Sequence, residues 1–236
     1  MKLENTITKN EFDDMLKEGC ILQSSGTTGE PKQLFQPPEK LKAANSVARK
    51  IQGIDKSSKI LTVCTLKHAG GLLAQTLPGY EVGSEIEVER FNPFSWVRRI
   101  KDFTHSHLTP DMARAIMKTK SFDKLKLDDK IIMCGSDRVQ SGVIQNFIDR
   151  GAIFIVNWGM TEVGPVAINR NFVPGMQVHT TETIMGNNAE CDTKIIDGEL
   201  HVKGDICIYD DWFATGDIVT KENGHFYYMG RKSVRR

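Results

Sequence analysis

Three short stretches of the chain carry residue types at spacings that could hold a phosphate, a divalent cation and a sugar diol. The first, SSGTTGEPK at 24–32, is a run of small and hydroxylated residues closed by a lysine. Such a loop offers backbone N–H groups and hydroxyls to an anion, and Lys32 adds a point charge suited to phosphate. It is not a Walker A loop, because the spacing is GxxGxxK and no Ser or Thr follows the lysine. A flexible joint would have the same composition, and that is the commoner meaning of a Gly/Ser/Thr run. The second stretch, NWGMTEVG at 157–164, combines an aromatic face (Trp158), a glycine (Gly159), a hydroxyl (Thr161) and a hard carboxylate oxygen (Glu162). A stacked base, a phosphate and Mg²⁺ would use those groups, whereas a Trp-Gly turn beside a solvated glutamate would need none of them. The third, WFATGDI at 212–218, fixes Asp217 behind a glycine. A carboxylate can accept both hydroxyls of a ribose, although Thr-Gly-Asp is more often a plain tight turn.

Such residues need a scaffold, and from 37 to 157 the pattern alternates between helix and strand. Prolines and a glutamate open a helix with Leu41, Ala44, Ala48 and Ile51 on one face, and Gly53 stops it. Strands are expected at 59–65 and 85–91. Asn92-Pro93 then starts a helix that places Phe94, Val97 and Ile100 inward. THSHL reads as a strand, and Thr109 caps the helix that follows it. KIIMCG is a strand, Ser141 is expected to cap a helix ending at Gly151, and AIFIVNWG is a buried strand. Strand and helix alternating in this way call for a parallel sheet covered by helices. CILQ before the first stretch and KQLFQ after it are strand-like, so the loop would join two strands. Beyond 165 the helical period ends, and Asp197-Gly198 and Asn223-Gly224 favour type I′ hairpins. The expected fold class is therefore α/β, with residues 1–165 forming a helix-flanked parallel sheet and 166–236 a small antiparallel, β-barrel-like unit.

Composition narrows the function classes. The 236 residues can bury a core, and 39% hydrophobic with 26% charged residues is ordinary for a globular protein. A net charge of +1 gives no reason to expect a nucleic-acid surface. Cys20, Cys64, Cys134, Cys191 and Cys207 are scattered without any CxxC, which argues against a disulfide framework or a zinc site and fits the cytoplasm. No apolar run reaches membrane-spanning length, so no membrane partner is expected. His105 and His107 alternate on a strand and could seed a metal site, but no third ligand is evident and a solvated face is the simpler reading. Cys134 reads as core.

Taken in order, the stretches resemble the adenylate-forming superfamily of acyl-CoA synthetases, peptide-synthetase adenylation domains and luciferases. SSGTTGEPK is similar to its phosphate loop, and NWGMTEVG to its YGxTE motif with Trp158 where Tyr or Phe is commoner. GELHVKG at 198–204 matches GELxxxG, and WFATGD matches W-[FY]-x-TGD. GRKS at 230–233 resembles the start of the GRxxDxI hinge, and MCGSDRVQSGVIQNF the GGxxL segment. The resemblance implies that Ser25, Gly26, Thr27, Thr28, Gly29 and Lys32 hold phosphates. It implies that Gly135, Ser136 and Asp137 line the adenine and acyl pocket, with His68 and Gly70 on the acyl side. Asn157, Trp158, Gly159 and Met160 would lie along the nucleotide, Thr161 on the α-phosphate, Glu162 on Mg²⁺, and Asp217 with Arg231 at the ribose. Lys32, Thr161 and Glu162 are the expected catalytic set.

The implied reaction is attack of a small organic carboxylate on the α-phosphorus of ATP, giving an acyl-adenylate and pyrophosphate, with coenzyme A as a further co-substrate. An acyl- or aryl-acid CoA ligase, of the succinylbenzoate type, is the expected subclass. Against the family pattern, only a short segment precedes the phosphate loop, the lysine-bearing C-terminal domain is not in the sequence, and Ser233 stands at the hinge position usually held by Asp or Lys. These departures imply slow chemistry by the chain alone, a partner protein that supplies the lysine, or a local stand-in such as Lys203 or Lys232. The alternative reading is a nucleotide-binding module without chemistry of its own.

Overall fold

The computed structural model describes residues 2–3, 8–24, 32–179 and 183–232. The first elements are β1 (Lys2–Leu3), α1 (Lys9–Glu18) and the antiparallel pair β2 (Cys20–Gln23) and β3 (Gln33–Gln36). Next come α2 (Pro38–Gln52) and β4 (Lys59–Thr62), then a helical stretch built from α3 (Ala69–Gly71), a π-helical turn (Leu72–Thr76) and α4 (Leu77–Glu81). From there β5 (Glu85–Val88), α5 (Pro93–Arg99), β6 (His105–Leu108), α6 (Pro110–Met117), β7 (Ile131–Gly135), α7 (Ser141–Ile148) and β8 (Ile153–Met160) keep the alternation that the sequence predicts. The remainder is β9 (Gly164–Phe172), β10 (Ile184–Gly186), β11 (Asn188–Ala189), β12 (Asp192–Ile196), β13 (Glu199–Lys203), β14 (Phe213–Glu222) and β15 (His225–Arg231).

Local chemistry sets most of these boundaries. Thr8 and Glu11 form a capping box on α1. Asn92 Oδ1 accepts from the backbone N–H groups of Phe94 and Ser95, and Thr109 Oγ1 from that of Met112. Gly53 ends α2 in the left-handed region at φ 65°. Two details differ from expectation. Ser141 is the first residue of α7 rather than its cap, and the capping position, Gln140, makes no side-chain bond. Phe94 points to solvent, while Trp96 takes the buried place beside Val97 and Ile100.

The larger sheet runs β1-β5-β4-β6-β7-β8-β9-β11. Pairing is parallel from β1 to β8 and antiparallel at β9 and β11. It therefore continues past residue 165, where the sequence suggested a division. One face buries Trp96, Phe147 and Phe154 among the residues of α5, α6 and α7, and the Trp96 indole N–H donates to Ser106 Oγ at 3.0 Å. The other face packs Met133 and Ile155 against Ala48 of α2 and Ala74 of the π-helical turn. The second sheet, β10-β15-β14-β13-β12, is antiparallel, with β10 and β12 at its edges. Asp197-Gly198 and Asn223-Gly224 turn its hairpins with positive φ at all four residues, as a type I′ turn requires. Both sheet faces at β6 are covered, so His105 and His107 are buried and not solvated as their alternation suggested. Cys134 is buried in the core as expected. Among the described residues no helix is long and apolar enough to cross a membrane.

Candidate active site

Three segments converge where the carboxyl ends of β7 and β8 meet the second sheet, the usual ligand crevice of an open α/β sheet. Strand β8 ends in a tight hairpin, in which Val163 N–H donates to the Met160 carbonyl at 3.1 Å. This lifts Thr161 and Glu162 to the tip between β8 and β9. Register shifts between Trp158 and Met160, and Gly159 sits against the Gly164-Pro165 backbone, where a β-carbon would come within 2.2 Å of the Gly164 carbonyl oxygen. Trp158 and Met160 pack on the core of the second sheet.

Asp217 on β14 is the centre of the arrangement. It is 5% exposed. The Trp158 indole N–H donates to Oδ2 at 3.0 Å, and Arg231 Nη1 to Oδ1 at 3.0 Å. Burial holds the carboxyl above its ordinary range, against the pull of those two donors. Next to it, Glu199 accepts from Gly216 N–H at 3.0 Å and from Lys232 Nζ at 2.6 Å, and the Lys232 bond keeps its carboxyl below the usual range.

The segment after β7 forms the opposite wall. Gly135 is obligatory, since a β-carbon there would lie 2.5 Å from both the Asn157 carbonyl and its Oδ1. Asn157 Nδ2 donates to the Pro165 carbonyl at 2.6 Å, while its buried Oδ1 has no partner. Ser136 adopts a left-handed φ of 77°, a costly conformation for a residue with a side chain. Asp137 turns back on Arg138 N–H, and the Arg138 guanidinium covers the Tyr228 ring of β15.

Residues 25–31 of the first stretch, which include Ser25, Gly26, Thr27, Thr28 and Gly29, lie outside the described residues. Its two ends are held together: Ser24 N–H donates to the Lys32 carbonyl at 2.9 Å, and Lys32 N–H to Ser24 Oγ at 3.3 Å. The stretch thus joins two antiparallel strands, as expected. From β3, Gln36 Nε2 reaches the Thr161 carbonyl at 2.9 Å and ties the returning strand to the β8–β9 tip. His68 bonds the Gln23 carbonyl through Nδ1 at 3.1 Å, which brings α3 to the other end of the loop. Gly70 sits two residues on, beside His107 and Ser136.

Trp158, Thr161, Glu162, Asp217 and Arg231 are thus brought to one region, with Gly135, Ser136, Asp137 and Asn157 along its wall. Sequence reasoning missed Gln36, Tyr228 and the ties made by Glu199 and Lys232. Glu199 carried a signal as part of GELHVKG, and Lys232 as part of GRKS. Lys203 and Lys232, the possible stand-in lysines, are engaged with Asp211 and Glu199.

Comparison with known proteins places the chain among relatives. Residues 17–216 match the family model described as AMP-binding enzyme. The indoleacetate–CoA ligase of Aromatoleum aromaticum is 25% identical over 90% of this chain and 47% of its own length. The 2-succinylbenzoate–CoA ligase of Staphylococcus aureus is 25% identical over 93% of this chain and 45% of its own. The Bacillus subtilis O-succinylbenzoate coenzyme A synthetase, solved with ATP and magnesium, superposes with a TM-score of 0.76 at 20% identity, over 90% of this chain and 50% of that one. The chain spans about half the length of the curated relatives it matches. With that match over most of its length, and with the motifs converging on one crevice, the chain belongs to the AMP-binding enzyme family.

Proposed function

We propose that the chain binds an adenine nucleotide at the junction of its two sheets and adenylates a small organic carboxylate with it. The observation that carries this reading is the state of Asp217. A carboxylate has about four lone-pair sites, and Trp158 and Arg231 take one on each oxygen. One site per oxygen is left, which suits the two hydroxyls of a ribose. Asn157 Oδ1, buried without a partner beside Gly135, is an acceptor for an exocyclic amino group of the base. The Glu162 carboxylate has no hydrogen-bond or ion-pair partner among the described residues and would hold Mg²⁺ with the phosphates. The ion, when bound, neutralises phosphate charge. Thr161 would then donate to the α-phosphate, and Lys32 would meet the phosphates beyond it.

In the reaction a carboxylate oxygen attacks the α-phosphorus. The bond from that phosphorus to the pyrophosphate oxygen breaks, and acyl-adenylate and pyrophosphate form. Transfer of the acyl group to coenzyme A is the following step, supported by relatives that are CoA ligases. Carboxylate-dependent ATP–pyrophosphate exchange over a broad acid panel, with acyl-AMP detected by mass spectrometry, tests this. Exchange with any acid supports it. AMP binding with no exchange from any acid supports a nucleotide-binding module instead. The capture of Lys203 and Lys232 in ion pairs favours that second reading.

A further inference from the structure

Two of the five cysteines, far apart in the chain, meet in the fold. Cys191 lies in the turn between β11 and β12, and Cys207 in the connection between β13 and β14. The register that pairs Asp192 with Lys203 carries Cys191 alongside Gly204. Gly204 has φ 156°, and a β-carbon there would lie 3.2 Å from Cys191 Cβ, so glycine keeps the approach open. The chain then turns back, with Cys207 N–H donating to the Gly204 carbonyl at 3.0 Å. Cys207 is fully buried in the core of the second sheet, and the half-buried Cys191 packs against that core. There the two thiols are hydrogen-bonded to each other.

The other cysteines stand in a different environment. Burial pushes the Cys20 thiol up to about 11 and that of Cys64 up to about 12, and it holds Cys134 above the ordinary range as well. Thiols of that kind are inert. At Cys207 the bond from Cys191 holds the thiol below its ordinary range against the effect of burial, and the Lys40 ammonium adds to the pull. A sulfur with thiolate character in contact with a second sulfur is the arrangement that closes a disulfide. Both segments are also anchored to the larger sheet, one residue from each cysteine. Glu190 N–H donates to the Ala167 carbonyl at 2.9 Å, and Ile208 N–H to the Glu162 carbonyl at 3.0 Å.

We propose that Cys191 and Cys207 form a reversible disulfide, with a small-molecule disulfide of the oxidised-glutathione class as oxidant, and that the bond braces the β8–β9 tip. Cys191, the half-buried member, attacks one sulfur of the oxidant. A mixed disulfide forms on Cys191, and the first small thiolate leaves. Cys207 then attacks the Cys191 sulfur, the protein disulfide forms, and the second small thiolate leaves. The two cysteine protons end on the two released thiolates, so two protein thiols are oxidised and one small disulfide is reduced. The new bond closes the segment 192–206 and links the Ala167 tie to the Glu162 tie. Neither the pairing nor the brace depends on the nucleotide reading.

The test holds the intact chain in glutathione buffers of rising oxidised share, quenches in acid, unfolds and alkylates, and maps the peptides by mass spectrometry. A linked Cys191–Cys207 peptide should appear, with both thiols lost from the alkylated set, and dithiothreitol should reverse it. Cys207→Ser should trap glutathione on Cys191, whereas Cys191→Ser should leave the buried Cys207 reduced. In the oxidised wild type the Ile208 amide should exchange with deuterium about tenfold more slowly. Alkylation of both thiols at the highest oxidised share, a bridge to any other cysteine, or glutathione retained on wild-type Cys191 would overturn the pairing. Equal exchange at Ile208 in the two forms would overturn the brace. Should either serine variant fail to fold, the wild-type peptide map still decides, because it separates a bridge from an adduct and from no reaction.

Discussion

Trp158 presents two chemistries from one ring. Its edge N–H is spent on Asp217, and in the proposed reading its half-buried face carries the base. Base–aromatic stacking contributes about 1–3 kcal/mol, so Trp158→Ala should weaken AMP binding by about ten- to a hundredfold. Trp158→Phe separates the two roles, because it keeps a face and removes the donor, and its affinity for AMP should fall between the two. Calorimetric titration checks both. Unchanged AMP affinity in the alanine variant would leave Trp158 as packing for the second sheet. Glu162 is different, since its carboxylate is uncommitted among the described residues. Glu162→Gln keeps the shape and removes the anionic oxygen, so AMP binding should be spared and Mg²⁺–ATP binding weakened. Equal loss for both nucleotides would point to a structural role at the hairpin tip.

At the scale of elements, the β2–β3 hairpin carries the stretch proposed to meet phosphates. Its ends are closed by Ser24 and Lys32, and Gln36 transmits its position to the β8–β9 tip. The strand that leaves the proposed phosphate loop and the β8–β9 tip are therefore linked by one buried hydrogen bond. Lys32→Ala should lower ATP affinity far more than AMP affinity, because AMP has no β or γ group for the lysine to meet. Competition of the two nucleotides against a fluorescent analogue reads the ratio. A ratio unchanged from the wild type would return this stretch to its other reading, a flexible joint. Similar logic binds β13, β14 and the end of β15, where Glu199 holds both Gly216 and Lys232 while Arg231 holds Asp217.

For the whole molecule, the buried histidines contribute to the response to acid. Burial lowers both imidazoles from the ordinary 6.5, His107 to about 4. As pH falls below 6.5 the unfolded chain takes up protons that the folded chain refuses, so stability is full above that value and is lost towards pH 4. Asp217 has the opposite sign: its raised carboxyl favours the fold at low pH and loses that contribution as pH rises through its folded value. Glu199, held down by Lys232, supports the fold at neutral pH and releases it only below the ordinary glutamate range. His107→Leu should therefore flatten the decline in unfolding midpoint between pH 6.5 and about 4. Midpoints of wild type and variant falling in parallel would assign the acid limb to carboxylates instead.

Features set by neighbours along the chain were legible in the sequence. Caps at Asn92 and Thr109, the left-handed stop at Gly53 and the Asx-Gly hairpins at Asp197 and Asn223 follow from side chains bonding or freeing their own backbone. The alternation of strand and helix, and the order of the nucleotide motifs, were legible for the same reason. Which strands lie inside the sheet depended on long-range packing. HSHL alternates like a half-exposed strand, yet β4 and β7 flank it and helices cover both faces, so its histidines became core. Tertiary structure also brought Trp158 onto Asp217 and Gln36 onto Thr161, contacts that no local pattern announces because each joins residues far apart in the chain. The burial of His107 belongs to the same class, since Gly70 meets its ring only once β6 and α3 are packed together.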